Sequence, residues 1–436
     1  MSALKNNNER KMRRMNHLQE KIKEGISLHV IKTEKFKTNL IAVYLTTSLN
    51  KENVTLNALI PAVLKRGTVT MQTSDEISRN LEDMYGASFD CGVDKIGDNH
   101  VLKFYLESIN NDFLPVDEDL LKQSIDKLFE IIFNPLLENG VFKSEYVNSE
   151  KDNLKQIIEG KIDNKAQYAF TRIIEEMYKD KSYGLYKYGY VEDLEGIDAA
   201  RLYNQYCNFI NNCKIDIFIS GKVDDSVLGL VKDNENIKKL QERDAKFITN
   251  GEKDDVSDEI KTIEEKMDIS QGKLVIGLNV NEDTKKSRYV ATVYNAILGG
   301  IPTSKMFQNV REKASLAYTA SSTYMKHKNN VFIRCGIEID NYEKTVDLIK
   351  VQLEEMKSGT FTDEDIDSAK TNIVATIKAI PDEQDTEISY YFGQELSEIK
   401  MNFEEYEDNI NSVTKQDIID FANKIQINTI YFLRGN

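Results

Sequence analysis

Two apolar runs of strand length stand out in the chain, Thr38–Leu45 (TNLIAVYL) and Gln271–Leu278 (QGKLVIGL). Runs this short, rich in branched residues, fit buried strands better than helices. Each precedes a stretch of helical character that ends in glycine, Ala58 to Gly67 and Ala291 to Gly300. Further along, Glu118–Phe133 and Tyr342–Met356 read as helices. A short apolar strand and a glycine close each half, with Phe218 and Gly221 in the first and Phe432 and Gly435 in the second.

These elements occur twice in the same order. The opening strands, the glycine-ended helices, and Tyr85–Ser88 against Tyr318–Ser321 are all offset by 233 positions. Gly140–Leu154 then matches Gly359–Ile373 at an offset of 219, with Gly, Phe, Glu, Ser, Lys and Asn recurring in place. The first copy therefore carries 233 − 219 = 14 extra residues, which we assign to the region of Asn110–Asp119. A repeat of about 220 residues is too long for a solenoid unit. The expectation is an α+β chain of two homologous tandem domains, each a mainly antiparallel sheet packed by helices. The boundaries would be 1–231 and 271–436, with residues 232–270, rich in Lys, Glu and Asp, as a charged linker.

Charge and composition narrow the function. The 436 residues carry 57 Lys+Arg against 72 Asp+Glu, a formal charge of −15. This argues against a nucleic-acid partner, which demands a basic surface. No apolar run approaches the ~18 residues of a membrane-spanning helix, so no membrane partner is expected. The basic start (Lys5, Arg10, Lys11, Arg13, Arg14) leads into no apolar stretch and reads as a solvated lead-in helix rather than a secretory signal. The four cysteines fit no metal or redox spacing, which suits free thiols in a reducing cytoplasm. The four histidines, His17, His29, His100 and His327, are too far apart for any two to share a helical turn, which rules out a two-histidine zinc motif within one helix.

The most informative segment is Gly299-Gly300-Ile-Pro-Thr-Ser304-Lys-Met-Phe307-Gln-Asn-Val-Arg311-Glu-Lys-Ala-Ser-Leu316-Ala-Tyr318. The double glycine ends one helix, Ser304 is a candidate cap for a helix running to about Lys313, and Tyr318 opens a strand. This segment resembles the C-terminal-half motif of the insulinase/pitrilysin peptidases, which include the mitochondrial processing peptidase. The resemblance spans nearly the whole chain, because that family is also built from tandem α+β domains of this size. It implies that Arg311 and Tyr318 bind substrate near the scissile carbonyl. The tyrosine hydroxyl would also help to stabilise the tetrahedral intermediate.

Zinc-bearing members of that family carry His-x-x-Glu-His on a helix, with Gly-Thr a few residues on. Counting back from Gly67-Thr68, the histidine positions hold Ala58 and Ala62, and the glutamate position holds Pro61. These share one helical face, so the resemblance implies a metal-facing side without ligand or base. Pro61 should kink or shorten the helix. Glu150 resembles the family's third zinc ligand and would be a relic or a structural ion pair. Lys35–Thr38 reads as a loop or a partner contact. Asp163–Ala169, within a long helix, resembles a segment that faces the substrate chamber in relatives.

The resemblance therefore implies the non-catalytic subunit of a heteromeric zinc peptidase in the bacterial cytoplasm. It would be inactive alone, with no metal or other cofactor of its own, and would donate Arg311 and Tyr318 to a peptide chamber. A homologous His-x-x-Glu-His subunit would hold the zinc. Within the family the chain looks most like the metal-free member of a cytoplasmic pair in Firmicutes. The alternative is a structural or peptide-binding protein of the same fold with no peptidase role.

Overall fold

Strand pairing and helix packing were followed in a computed structural model that describes residues 17–248, 259–281 and 284–435. The basic lead-in through Arg14 lies outside the described residues. The strands are β1 (His17–Lys23), β2 (Ile26–Lys32), β3 (Thr38–Ser48), β4 (Ser88–Ile96), β5 (Asn99–Ile109), β6 (Leu137–Glu138), β7 (Val141–Phe142), β8 (Lys214–Gly221), β9 (Lys261–Lys266), β10 (Gly272–Val280), β11 (Ala317–Met325), β12 (Asn330–Ile337) and β13 (Ile425–Arg434). The helices used below are α1 (Val54–Leu64), α2 (Ser74–Asp83), α3 (Leu120–Phe133), α4 (Ser144–Glu159), α5 (Lys165–Met177), α6 (Val191–Leu194), α7 (Ala199–Asn212), α8 (Val227–Lys232), α9 (Glu235–Lys239), α10 (Lys285–Asn295), α11 (Tyr342–Ser358), α12 (Asp363–Ala379), α13 (Gln384–Leu396), α14 (Phe403–Asn411) and α15 (Lys415–Ala422).

Two larger sheets carry the repeat. One has the order β1-β2-β8-β3-β5-β4, the other β11-β12-β10-β13-β9. Without β1, the first order matches the second read backwards. In each, a single parallel pair, β2 with β8 or β13 with β9, joins otherwise antiparallel strands. The α+β class and the mainly antiparallel sheets follow from this.

Each sheet buries both faces. In the first, Ile41, Val43 and Leu45 of β3 point into a core shared with Leu59 and Val63 of α1, Leu128 and Phe129 of α3 and Leu202 of α7. The alternate position Tyr44 faces the other way, where Phe392 of α13 stacks on it with ring centroids 4.0 Å apart. In the second, Leu274, Ile276 and Leu278 of β10 face a core with Val290 of α10, Ile349 of α11 and Phe421 of α15. Val275, Phe332 and Tyr431 on the opposite side are covered by Ala169, Ile173 and Ile174 of α5.

The compact units depart from the expected boundaries. Among the described residues, one unit draws on residues 17–159, 185–248 and 381–399, the other on 160–184, 259–281, 284–380 and 400–435. Helix α5 of the first copy therefore completes the second unit, and its repeat counterpart α13 completes the first. The expected linker is also shorter than 232–270, because Lys261–Lys266 is the parallel edge strand β9. Its sequence KTIEEK offers Ile263 as its one apolar residue, which is why composition placed it in a linker.

Smaller differences are local. The loop between β5 and α3, residues 110–119 with a turn at Asn111–Phe113, is ten residues long against four (338–341) in the second copy. It therefore holds 10 − 4 = 6 of the 14 expected extra residues, and the rest are spread over the neighbouring elements. Asp163–Ala169 does not lie within one helix, since α4 ends at Glu159 and Asn164 caps α5 through its side chain. Ala169 there is buried against the unit's own sheet. Lys35 pairs with Asp382 at 2.9 Å, and Thr38 donates to Gln384 at 3.1 Å, so this loop contacts the chain's own α13 segment. Among the described residues, no helix is long and apolar enough to cross a membrane.

Candidate functional site

Helix α1 runs unbroken through Pro61 to Leu64, so the expected early break does not occur. Proline removes one backbone donor, but nearly every residue of α1 is buried. Burial of Leu59, Ile60, Val63 and Leu64 outweighs the loss of one hydrogen bond. Ala58 and Pro61 are buried and Ala62 is half-buried. Cys91 of β4 lies closest in chemistry, its thiol donating to the Pro61 carbonyl at 3.4 Å. Burial pushes that thiol up to about 12, so it offers no thiolate at neutral pH. Alanine, proline and a protonated thiol do not fit a zinc ion.

Glu150 of α4 is buried, and its partner is Arg66, which sequence reading passed over. Arg66 Nη1 donates to Glu150 Oε1 at 3.3 Å, and Asn153 Nδ2 donates to Oε2 at 3.1 Å. The Arg66 guanidinium also lies 5.0 Å from the Tyr146 ring centroid. The available signal was spacing, since Ala58, Ala62 and Arg66 recur at every fourth position along one helical face. A cation from the chain itself thus neutralises the carboxylate that the zinc-bearing pattern would turn on a metal. Just beyond, a Cβ on Gly67 would sit 2.7 Å from the Gln72 carbonyl oxygen, which explains the glycine at the turn.

In the second unit, α10 passes into a wider π-helical turn over Ala296–Gly300. Gly299 is required by close approach, because a Cβ there would meet the Ser322 backbone nitrogen at 2.5 Å. The next helix, Met306–Lys313, is also of π type, with Ala314 N donating to Asn309 O at 3.1 Å. Ser304 does not cap it. Its hydroxyl is buried without a hydrogen-bond partner, and only its backbone carbonyl contributes, accepting from Gln308 N.

Arg311 projects from the last turn of that helix. Its guanidinium packs 4.5 Å from the Phe307 ring centroid and lies 3.6 Å from Glu312 Oε1. Tyr318 sits where the β11–β12 register slips, between Ala317 opposite Ile337 and Thr319 opposite Gly336. It is the extra residue of a β-bulge, a device that re-aims a side chain. The result is a tyrosine 57% exposed at the mouth of a strand. Its hydroxyl donates to the Glu338 carboxylate, and this bond raises its pKa above the usual tyrosine value. Among the described residues no hydrogen bond joins Arg311 to Tyr318. Both remain accessible, one a fixed cation and the other a neutral donor.

Comparisons with known proteins place the chain among relatives of one family and fold. A family model described as the peptidase M16 inactive domain matches residues 196–373. The chain is 36% identical over 412 residues to the probable inactive metalloprotease YmfF of Bacillus subtilis, covering 94% of this chain and 96% of that protein. Among solved structures, a conserved protein from Enterococcus faecalis is similar with a TM-score of 0.88 and 29% identity, covering 97% of this chain and 99% of that one. A peptidase M16 inactive domain from Pseudomonas fluorescens shares the fold, with a TM-score of 0.77 and 16% identity, covering 97% and 98% respectively.

Proposed function

This chain belongs to the M16 peptidase family, and from that membership we propose that it is the non-catalytic subunit of a heteromeric zinc peptidase. A homologous subunit with an intact His-x-x-Glu-His motif would hold the zinc, which activates water for attack on a peptide carbonyl. This chain would contribute Arg311 and Tyr318. Arginine offers a planar, permanently charged fork suited to anchoring peptide carbonyls or a carboxylate. Tyr318 offers a preorganised O–H that can turn from Glu338 to the oxyanion of the tetrahedral intermediate.

The observation that carries this reading is the exposure of Tyr318. A large aromatic residue held in water by a dedicated bulge serves little purpose in stability. Meanwhile the positions that would bind zinc are filled by Ala58, Pro61 and Ala62, and Arg66 satisfies the remaining carboxylate. A cytoplasmic location belongs to the same proposal.

Co-expression with a zinc-bearing homologue tests it. The expected result is a stable complex that cleaves unfolded peptides, whereas this chain alone does not. Cleavage by the isolated chain would overturn the proposal, as would full activity of the zinc-bearing chain without this one.

A further inference from the structure

On the sheet face away from α1, His29 of β2 and Asp216 of β8 meet in the parallel pair, where His29 stands opposite Phe218. Both are fully buried. His29 Nε2 lies 3.2 Å from Asp216 Oδ1. Helix α13 adds the half-buried Glu395, and one donor atom from each of the three residues lies within 4.8 Å of the other two. Asp216 Oδ2 is buried and has no hydrogen-bond partner. A buried carboxylate oxygen with unused lone pairs is costly unless something fills them.

We propose that His29, Asp216 and Glu395 bind a divalent transition metal such as zinc and thereby pin α13 to the sheet. Zinc takes mixed imidazole and carboxylate ligands at about 2.0–2.2 Å, and tetrahedral geometry then separates neighbouring donors by about 3.3 Å. The donor atoms of the three residues lie within 4.8 Å of one another and would draw together by up to about 1.5 Å to reach that spacing. Water would complete the fourth position beside the half-buried Glu395.

The surroundings orient the donors as neighbours of metal sites do. His17 Nε2 lies 3.2 Å from His29 Nδ1, so when an ion displaces the Nε2 proton that bonds to Asp216 Oδ1, a proton on Nδ1 can be shared with His17 and the Nε2 lone pair becomes available. His17 is fixed in turn against Tyr391, with ring centroids 4.0 Å apart. Lys214 engages Asp216 Oδ1, which leaves Oδ2 for the ion. Gln19 Nε2 donates to Glu395 Oε2 at 2.9 Å. Two carboxylates against one ammonium leave negative charge in a largely dry site, and a divalent cation offsets it. The site is separate from the α1 positions, which lie on the sheet's other face. His29 and Asp216 are 187 residues apart, so no sequence spacing could reveal them.

The test uses the full chain, stripped with chelator and then titrated with Zn²⁺ by equilibrium dialysis and with Co²⁺ by visible absorption. The expected result is one ion per chain, with Co²⁺ bands typical of a low-coordinate nitrogen and oxygen site. Glu395→Gln and His29→Gln should each weaken binding at least tenfold. Absence of saturable binding, or affinity unchanged in Glu395→Gln, overturns the proposal. Glu395 is only half-buried, so its variant stays informative if the fully buried His29 position does not tolerate glutamine.

Discussion

From just beyond the end of α1, the Arg66 guanidinium donates to the Glu150 carboxylate of α4, with the Glu150 side chain only 3% exposed and that of Arg66 30% exposed. Removing one partner of a fully buried pair costs about 3–5 kcal/mol. Because Arg66 is partly solvated, Arg66→Ala should cost less, about 2–3 kcal/mol in urea denaturation. Glu150→Gln keeps the shape and should cost about 1 kcal/mol. Equal, near-zero effects would show that the pair is ornamental.

The same pair sets a barrier to restoring metal at α1. Ala58→His, Pro61→Glu and Ala62→His together should bind zinc weakly, because Arg66 competes for Glu150. Adding Arg66→Leu should tighten binding at least tenfold. The measurement is zinc affinity in a Glu395→Gln background, so that the two sites are not confused.

Tyr318→Phe should leave stability within about 0.5 kcal/mol, since the ring is exposed. In the assembled peptidase it should lower kcat by about 10²-fold or more, the scale of losing one oxyanion donor. Arg311→Ala should act mainly on KM. The Glu338 bond raises the Tyr318 pKa, so the neutral donor form persists above the ordinary value. Glu338→Gln should bring phenol ionisation, followed by ultraviolet titration against Tyr318→Phe, back toward about 10.

The buried Ser304 hydroxyl has no partner, so Ser304→Ala should be neutral or stabilising by up to about 1 kcal/mol. A loss of 1–2 kcal/mol in thermal denaturation, typical of a removed cap, would show that the hydroxyl finds a donor or acceptor after all.

Asp216 gives a pH prediction. Burial alone would raise its pKa, but Lys214 and then His29 more than reverse this, and the net shift is downward. A lowered carboxylate pKa stabilises the fold above the unfolded value of about 3.9 and is lost as pH falls through the native value. Asp216→Asn should therefore destabilise at pH 7, and the gap to wild type should close progressively below about pH 4.

The repeat made much of this fold legible. Strands expected at Thr38–Leu45 and Gln271–Leu278 appear at Thr38–Ser48 and Gly272–Val280, and helices at Glu118–Phe133 and Tyr342–Met356 appear within two residues. Continuous apolar runs and long amphipathic stretches are strong local signals. What escaped was tertiary. The apolar face of α5 announces that it must be covered, but not by which sheet. The bulge at Tyr318 depends on register with β12, and the role of Arg66 depends on α4 lying beside α1. The Ser304 cap failed because the following helix is wound more widely than the α-helix the pattern assumed.

The reciprocal placement of α5 and α13 has an evolutionary consequence. If one half of the gene were lost, the surviving sheet would keep a bare aromatic face, Tyr44 and Phe218 in one case or Phe332 and Tyr431 in the other. Duplication followed by such an exchange works as a ratchet, since neither copy can be discarded once each lends the other a helix. Selection can then erase ligands from α1 while the scaffold is retained for reasons unrelated to chemistry. Fragments split near residue 250 and expressed together should accordingly rescue one another, while either alone should be insoluble.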